Sequence, residues 1–139
     1  MLDRVSHVGV WVFDQDEALD FYTQKLGMQV REDARMGDFR WLTVGPPGQP
    51  DMEIMLLVPG PPPLDPQTAE RVRALVAEGA MGGLIFSSDD VWRTYEELSA
   101  RGVEFHQEPT ERSYGMDAAF RDPFGNAFRI SQRSAVTAG

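Results

Sequence analysis

The stretch Ser6-His7-Val8-Gly9-Val10-Trp11-Val12-Phe13-Asp14, running on through Asp16 to Gly27, decides how this chain is read. Val8, Val10 and Val12 alternate with His7, Gly9, Trp11 and Phe13, the period of a strand with one apolar face. The strand hands the chain directly to a helix over roughly 16–26, with Asp14 and Asp16 as candidate N-caps. Ala18, Phe21, Tyr22 and Leu26 lie on its apolar stripe, and Gly27 sits at the left-handed position that ends it. His7 opens the strand on the face opposite the valines. An imidazole so placed either looks into a cavity where chemistry happens or is left over from such a site.

Working outward, Met28–Arg35 reads as a weakly patterned edge strand, Phe39–Val44 as a third strand and Met52–Val58 as a fourth. Pro59–Pro66 is too dense in proline for regular structure, and Asp65-Pro66 then opens a short helix through Val72, Leu75 and Val76. The pattern repeats from Gly83. Gly83–Ser88 is a strand, and Asp89 or Asp90 caps a helix carrying Val91, Trp92, Tyr95 and Leu98, with Trp92 and Tyr95 read as core. Gly102 ends that helix as Gly27 ends the first. Val103–Gln107 is the next strand, followed by a long loop or extended strand to about Tyr114, a strand Asp117–Arg121, a turn Asp122–Asn126 and a last strand Ala127–Gln132. His106, opposite Phe105, reads as a surface residue.

Two βαβββ units about 75 residues apart make an internal repeat. The division is a first module over 1–58, a proline-rich connector with a short helix over 59–82, a second module over 83–133 and a frayed tail over 134–139. One helix covers one face of each sheet, so the other face needs a partner. The expected architecture is α+β: two βαβββ modules forming a curved, barrel-like mixed sheet around a cleft lined by residues that face away from the helices. His7 belongs to that set.

Composition narrows the function classes. The 139 residues are 42% hydrophobic and 25% charged, an ordinary globular balance. A formal charge of −9 argues against nucleic acid, which needs a basic face, and suits a cationic ligand or plain solubility. The absence of cysteine removes disulfides, thiolate metal sites and cysteine nucleophiles. Asp3 and Arg4 interrupt any leader-like apolar start, and no apolar run approaches the roughly 20 residues of a membrane span. A cytoplasmic protein with no membrane partner is expected. Phosphate-cradling glycine loops and a Gly-x-Ser-x-Gly elbow are lacking.

His7-Val8-Gly9-Val10, the Phe-Tyr and Leu-Gly pairs within Ala18–Gly27, and the Asp122–Asn126 turn together resemble the vicinal oxygen chelate superfamily, which includes glyoxalase I, extradiol dioxygenases and bleomycin-resistance proteins. The resemblance covers nearly all of residues 4–133 and implies a fold, a small-molecule ligand and a homodimer; the fold hosts lyases, isomerases, dioxygenases and plain binders. In metal-dependent members it implies four cleft-facing ligand positions, which fall here at His7, Met55, Gly83 and Arg129. Glycine offers no ligand, methionine suits a hard ion poorly, and arginine repels one. Glu53, two residues before Met55, is a substitute, so His7 and Glu53 are the weak metal candidates and no cofactor is expected.

The candidate ligand-binding residues are therefore His7, Trp11, Trp41, Glu53, Met55, Tyr114 and Arg129. His7 is the candidate acid–base group, and the aromatic and thioether side chains suit a flat or hydrophobic ligand. Arg129 and Glu53 either bridge each other, replacing the metal, or Arg129 receives an anion. The favoured function is a bleomycin-resistance-like protein that sequesters an aromatic or cationic compound. The alternative is a lyase, isomerase or dioxygenase acting through His7, with or without a divalent metal.

Overall fold

The computed structural model describes residues 1–133, so the expected tail over 134–139 lies outside the described residues. The chain divides into two compact units, Met1–Leu75 and a second beginning at Val76. The first holds β1 (His7–Trp11), α1 (Gln15–Asp20), β2 (Gln29–Met36), β3 (Phe39–Gly45) and β4 (Glu53–Leu57). Helix α2 (Pro66–Ala77) spans the division. The second unit holds β5 (Gly82–Ser87), α3 (Val91–Ala100), β6 (Glu104–Arg112), β7 (Gly115–Arg121) and β8 (Ala127–Arg133). The repeat read from the sequence is thus an α+β repeat of structure.

Each unit forms one open, four-stranded mixed sheet, ordered β1-β4-β3-β2 in the first and β5-β8-β7-β6 in the second. The first and last strands of each unit pair in parallel, and the remaining pairs are antiparallel. Alternation assigns the faces. In the first unit Val10, Leu42, Val44, Ile54 and Leu56 are buried, as are Ala18, Phe21 and Tyr22 of the helical segment. In the second, Phe120, Phe128, Ile130 and Ala118 are buried, as are Val91 and Leu98 of α3. Fully burying a valine, leucine, isoleucine or phenylalanine side chain contributes roughly 1.5–3 kcal/mol, which makes these faces the main stabilising layers.

The helix boundaries follow from capping. Asp14 is the N-cap of α1 and accepts from the Glu17 N–H at 2.9 Å; Asp90 does the same for α3 with Arg93 at 3.1 Å. Asp65 accepts from the Thr68 N–H at 2.8 Å, ahead of Pro66 in the first helical position. The first helix, expected as one piece to residue 26, continues beyond Asp20 as a π-helical turn, Phe21–Lys25, which places the neighbouring rings of Phe21 and Tyr22 in the core together. Gly27 and Gly102 take φ of 75° and 91°, as their positions after the helices require.

The segment after Gln107 takes the extended-strand alternative: β6 runs to Arg112 and returns through Ser113-Tyr114 into β7. Pro109 falls in the register shift between Gln107 and Thr110, where the ladder is interrupted and its missing N–H costs least. Trp92 is not core: it is 46% exposed, while Tyr95 packs edge-on against Phe105 with ring centroids 4.8 Å apart.

Candidate functional site

The first unit's sheet has a face that α1 does not cover. The register His7↔Glu53, Gly9↔Met55 and Trp11↔Leu57 sets three rows across β1 and β4 on it. Thr43, paired with Met55, and Trp41 two residues before it extend these rows onto β3. His7, Trp11, Trp41, Glu53 and Met55 are all half-buried there. His7 and Trp41 stand 5.8 Å apart between ring centroids, and Phe39 lies 6.3 Å beyond Trp41.

The polar groups of this face form one chain. Ser6 Oγ hydrogen-bonds His7 Nδ1 at 2.7 Å, and His7 Nε2 lies 3.4 Å from Glu53 Oε2. The fully buried Thr43 hydroxyl donates to Glu53 Oε1 at 2.6 Å and accepts from the Glu32 N–H at 3.0 Å. His7, Glu32 and Glu53 each bring one ligand atom within 4.8 Å of the others. Glu32 is a residue the sequence reading missed. The pairing Val30↔Val44 followed by Glu32↔Thr43 marks a bulge at Arg31, and that extra residue turns Glu32 onto the face of Thr43. No sequence signal marks a bulge in so weakly patterned a strand.

The second unit's uncovered face is built differently. Ile85↔Arg129↔Ala119 and Ser87↔Ser131↔Asp117 form two adjacent rows across β5, β8 and β7. A cleft of about 620 Å³ opens here, lined among others by Ile85, Ser87, Tyr114, Asp117, Arg129 and Ser131. At its floor Asp117 has a side chain only 2% exposed. Its carboxylate accepts from Gln107 Nε2 at 2.8 Å, Arg129 Nη1 at 3.1 Å, Arg112 Nε at 3.3 Å and the Tyr114 hydroxyl. Burial pushes the Asp117 carboxyl up, but the hydrogen bonds from Tyr114, Gln107 and Arg112 and the charge of Arg129 outweigh it and hold the group below the usual carboxylate range. The Tyr114 phenol is held above its ordinary value, chiefly by its hydrogen bond to Asp117.

Glu53 and Arg129 each have partners inside their own unit: His7 and Thr43 for Glu53, Asp117 and Gln107 for Arg129. Asp117 was readable as the polar face of its strand, since Asp117, Ala119 and Arg121 alternate with Ala118 and Phe120. Tyr114 lies at the hairpin tip and is 44% exposed, and His106 is exposed. The four positions that carry the metal in metal-dependent relatives do not fit one in this chain. Beside His7 they offer a thioether, a Gly83 with nothing within 4 Å of where a Cβ would stand, and a guanidinium already bound to a carboxylate.

A two-unit α+β fold with one βαβββ module per unit, and polar groups gathered on the faces opposite the helices, defines the class. The chain belongs to the glyoxalase/bleomycin resistance protein/dioxygenase superfamily, whose model matches residues 4–130. It is 37% identical to the uncharacterised protein YurT of Bacillus subtilis, over 94% of this chain and 99% of that protein. Its structure is similar to the crystal structure of UcmS2, with 45% identity, a TM-score of 0.89 and coverage of 94% and 98%. It is also similar to TnmS3, an antibiotic-binding protein from Streptomyces sp. CB03234, with 30% identity, a TM-score of 0.76 and coverage of 96% and 98%. No helix among the described residues is long and apolar enough to cross a membrane.

Proposed function

We propose that this protein binds and sequesters a small, flat, partly apolar molecule without the help of a metal. The observation that supports this most is Arg129. At a position where metal-dependent relatives place a ligand, the chain carries a guanidinium fixed on buried Asp117, beside an open cleft. Half-buried Trp11, Trp41 and Met55 on the uncovered face of the first unit, with His7 and Glu53 as its polar groups, add surface suited to an aromatic compound. The likeness to TnmS3 leans the same way. A thermal-shift screen against aromatic antibiotics tests the reading. A bound ligand should raise the melting temperature progressively with its concentration, through a stabilisation of about 2.7 kcal/mol at a hundredfold excess over Kd. A flat response across the screen would count against it. Self-association as a homodimer, implied by the family, is checked by sedimentation.

A second reading is favoured by one specific cluster. His7, Glu32 and Glu53 supply an imidazole and two carboxylates within reach of a single divalent ion, which would suit a lyase or isomerase with His7 as its acid–base group. Elemental analysis separates the two readings. Stoichiometric metal that is lost in Glu53→Gln would favour the enzyme; metal-free protein that still binds aromatic ligands would favour the binder.

A further inference from the structure

We infer that Arg129 is a receptor for an anionic group, a carboxylate or phenolate on a small aromatic molecule, and that Asp117 positions it; this rests on the ligand-binding reading above. Asp117 accepts from four donors, Gln107, Arg112, Arg129 and Tyr114, which saturates one carboxylate. Arg129 spends a single nitrogen, Nη1, on Asp117 and on Gln107 Oε1 at 3.2 Å. Among the described residues its Nε and Nη2 make no hydrogen bond, and its side chain is 49% exposed on the cleft. One edge of the guanidinium is anchored and its other donors are left for a ligand. That is the arrangement for bidentate recognition of a planar anion.

Charge favours the same assignment. Two arginines meet one carboxylate, so the cluster is net positive in a chain whose formal charge is −9. Such a local excess is the reverse of the overall field, which repels anions in general, and an anion needs further contacts to enter. The cleft offers them. Ile85, 68% exposed, is the register neighbour of Arg129, and the exposed ring of Tyr114 lines the same cleft. Asp89, on the loop after β5, also lines the cleft and adds a second carboxylate to it, so the anionic end must be held at Arg129 itself. A ligand with an apolar body and one anionic end satisfies the Arg129 side, with its body against Ile85 and Tyr114. An isolated inorganic anion does not.

The test is calorimetric titration of the full chain with 2-naphthoate and with its uncharged counterpart 2-naphthamide. Naphthoate should bind about tenfold more tightly, the scale of one charge-assisted contact. In Arg129→Met that ratio should fall to about one, and Arg129→Lys, which keeps the charge but not the fork, should lie between. Lys also serves should the Met variant fail to fold. In Asp117→Asn the ratio should fall although Arg129 remains. A loss of affinity there that is equal for both probes would deny Asp117 a positioning role. Equal affinity of the two probes for the natural protein overturns the anion assignment while leaving the binding reading intact. Binding of neither probe counts against both.

Discussion

The two units share one topology and use it oppositely. Their sheets have the same strand order, and the central rows correspond across the repeat: Gly9↔Met55↔Thr43 in the first to Ile85↔Arg129↔Ala119 in the second. On the uncovered face of the first, the position occupied in the second by Arg129 is a thioether, and Trp41 stands where the second has Asp117. The first unit spreads aromatic surface and keeps a small neutral-to-acidic chain of His7, Glu53 and Thr43 at one end. The second concentrates charge on one buried carboxylate. A repeat therefore fixes where side chains point and leaves their chemistry open, which is how one fold carries binders and enzymes alike.

The sharpest way to break this contrast is Asp117→Asn. Removing the charge leaves Arg112 and Arg129 facing an amide that is itself a donor. Because both arginines are 43–49% exposed and can rehydrate, we expect about 2–3 kcal/mol of lost stability rather than the larger cost of a fully buried pair, read by urea denaturation. The pH dependence has a definite sign. The Asp117 carboxyl is depressed below its unfolded value of 3.8, so its contribution is present above that pH and lost as pH falls through the folded value. The natural protein should lose stability more steeply than Asp117→Asn below about pH 4, and parallel curves would refute the role assigned to this carboxylate.

The equivalent cut in the first unit should cost less. Thr43→Val removes the hydroxyl that both holds Glu53 and accepts from Glu32, in a side chain of the same shape. Glu53 is 23% exposed and can turn to water, so about 1 kcal/mol is expected for Thr43→Val by the same denaturation. A loss equal to that of Asp117→Asn would mean that the two faces are not so different as their charges suggest.

Much of this contrast was legible in the chain. The valine alternation from His7 placed the imidazole on the uncovered face, and Gly27 and Gly102 marked both helix ends, because local sterics decide these features. The family resemblance implied that Arg129, four residues after Gly125, faces away from the helix of its own sheet. What could not be read was anything that depends on two strands meeting. The bulge at Arg31 that delivers Glu32, the register shift at Pro109, and the convergence of Gln107, Arg112 and Arg129 on Asp117 are all set by pairing.

The smallest predicted effect is spectroscopic and isolates one bond. Tyr114 donates to Asp117, so deprotonating the phenol beside an ionised carboxylate is disfavoured and its titration is moved above the ordinary 10.0. The sign for stability is the opposite of that for Asp117: the bond contributes below the unfolded value and is lost as pH rises through the folded one. The other two tyrosines, Tyr22 and Tyr95, sit in the packed layers against Phe21 and Phe105, so subtracting the absorbance titration of Tyr114→Phe from that of the natural protein leaves Tyr114 alone. In Asp117→Asn this difference signal should move down toward 10, since an amide accepts less strongly than a carboxylate and carries no charge. A Tyr114 signal that is unmoved by the substitution would show that its hydroxyl takes no part in holding Asp117. The four-donor clamp on which Arg129 depends would then reduce to three.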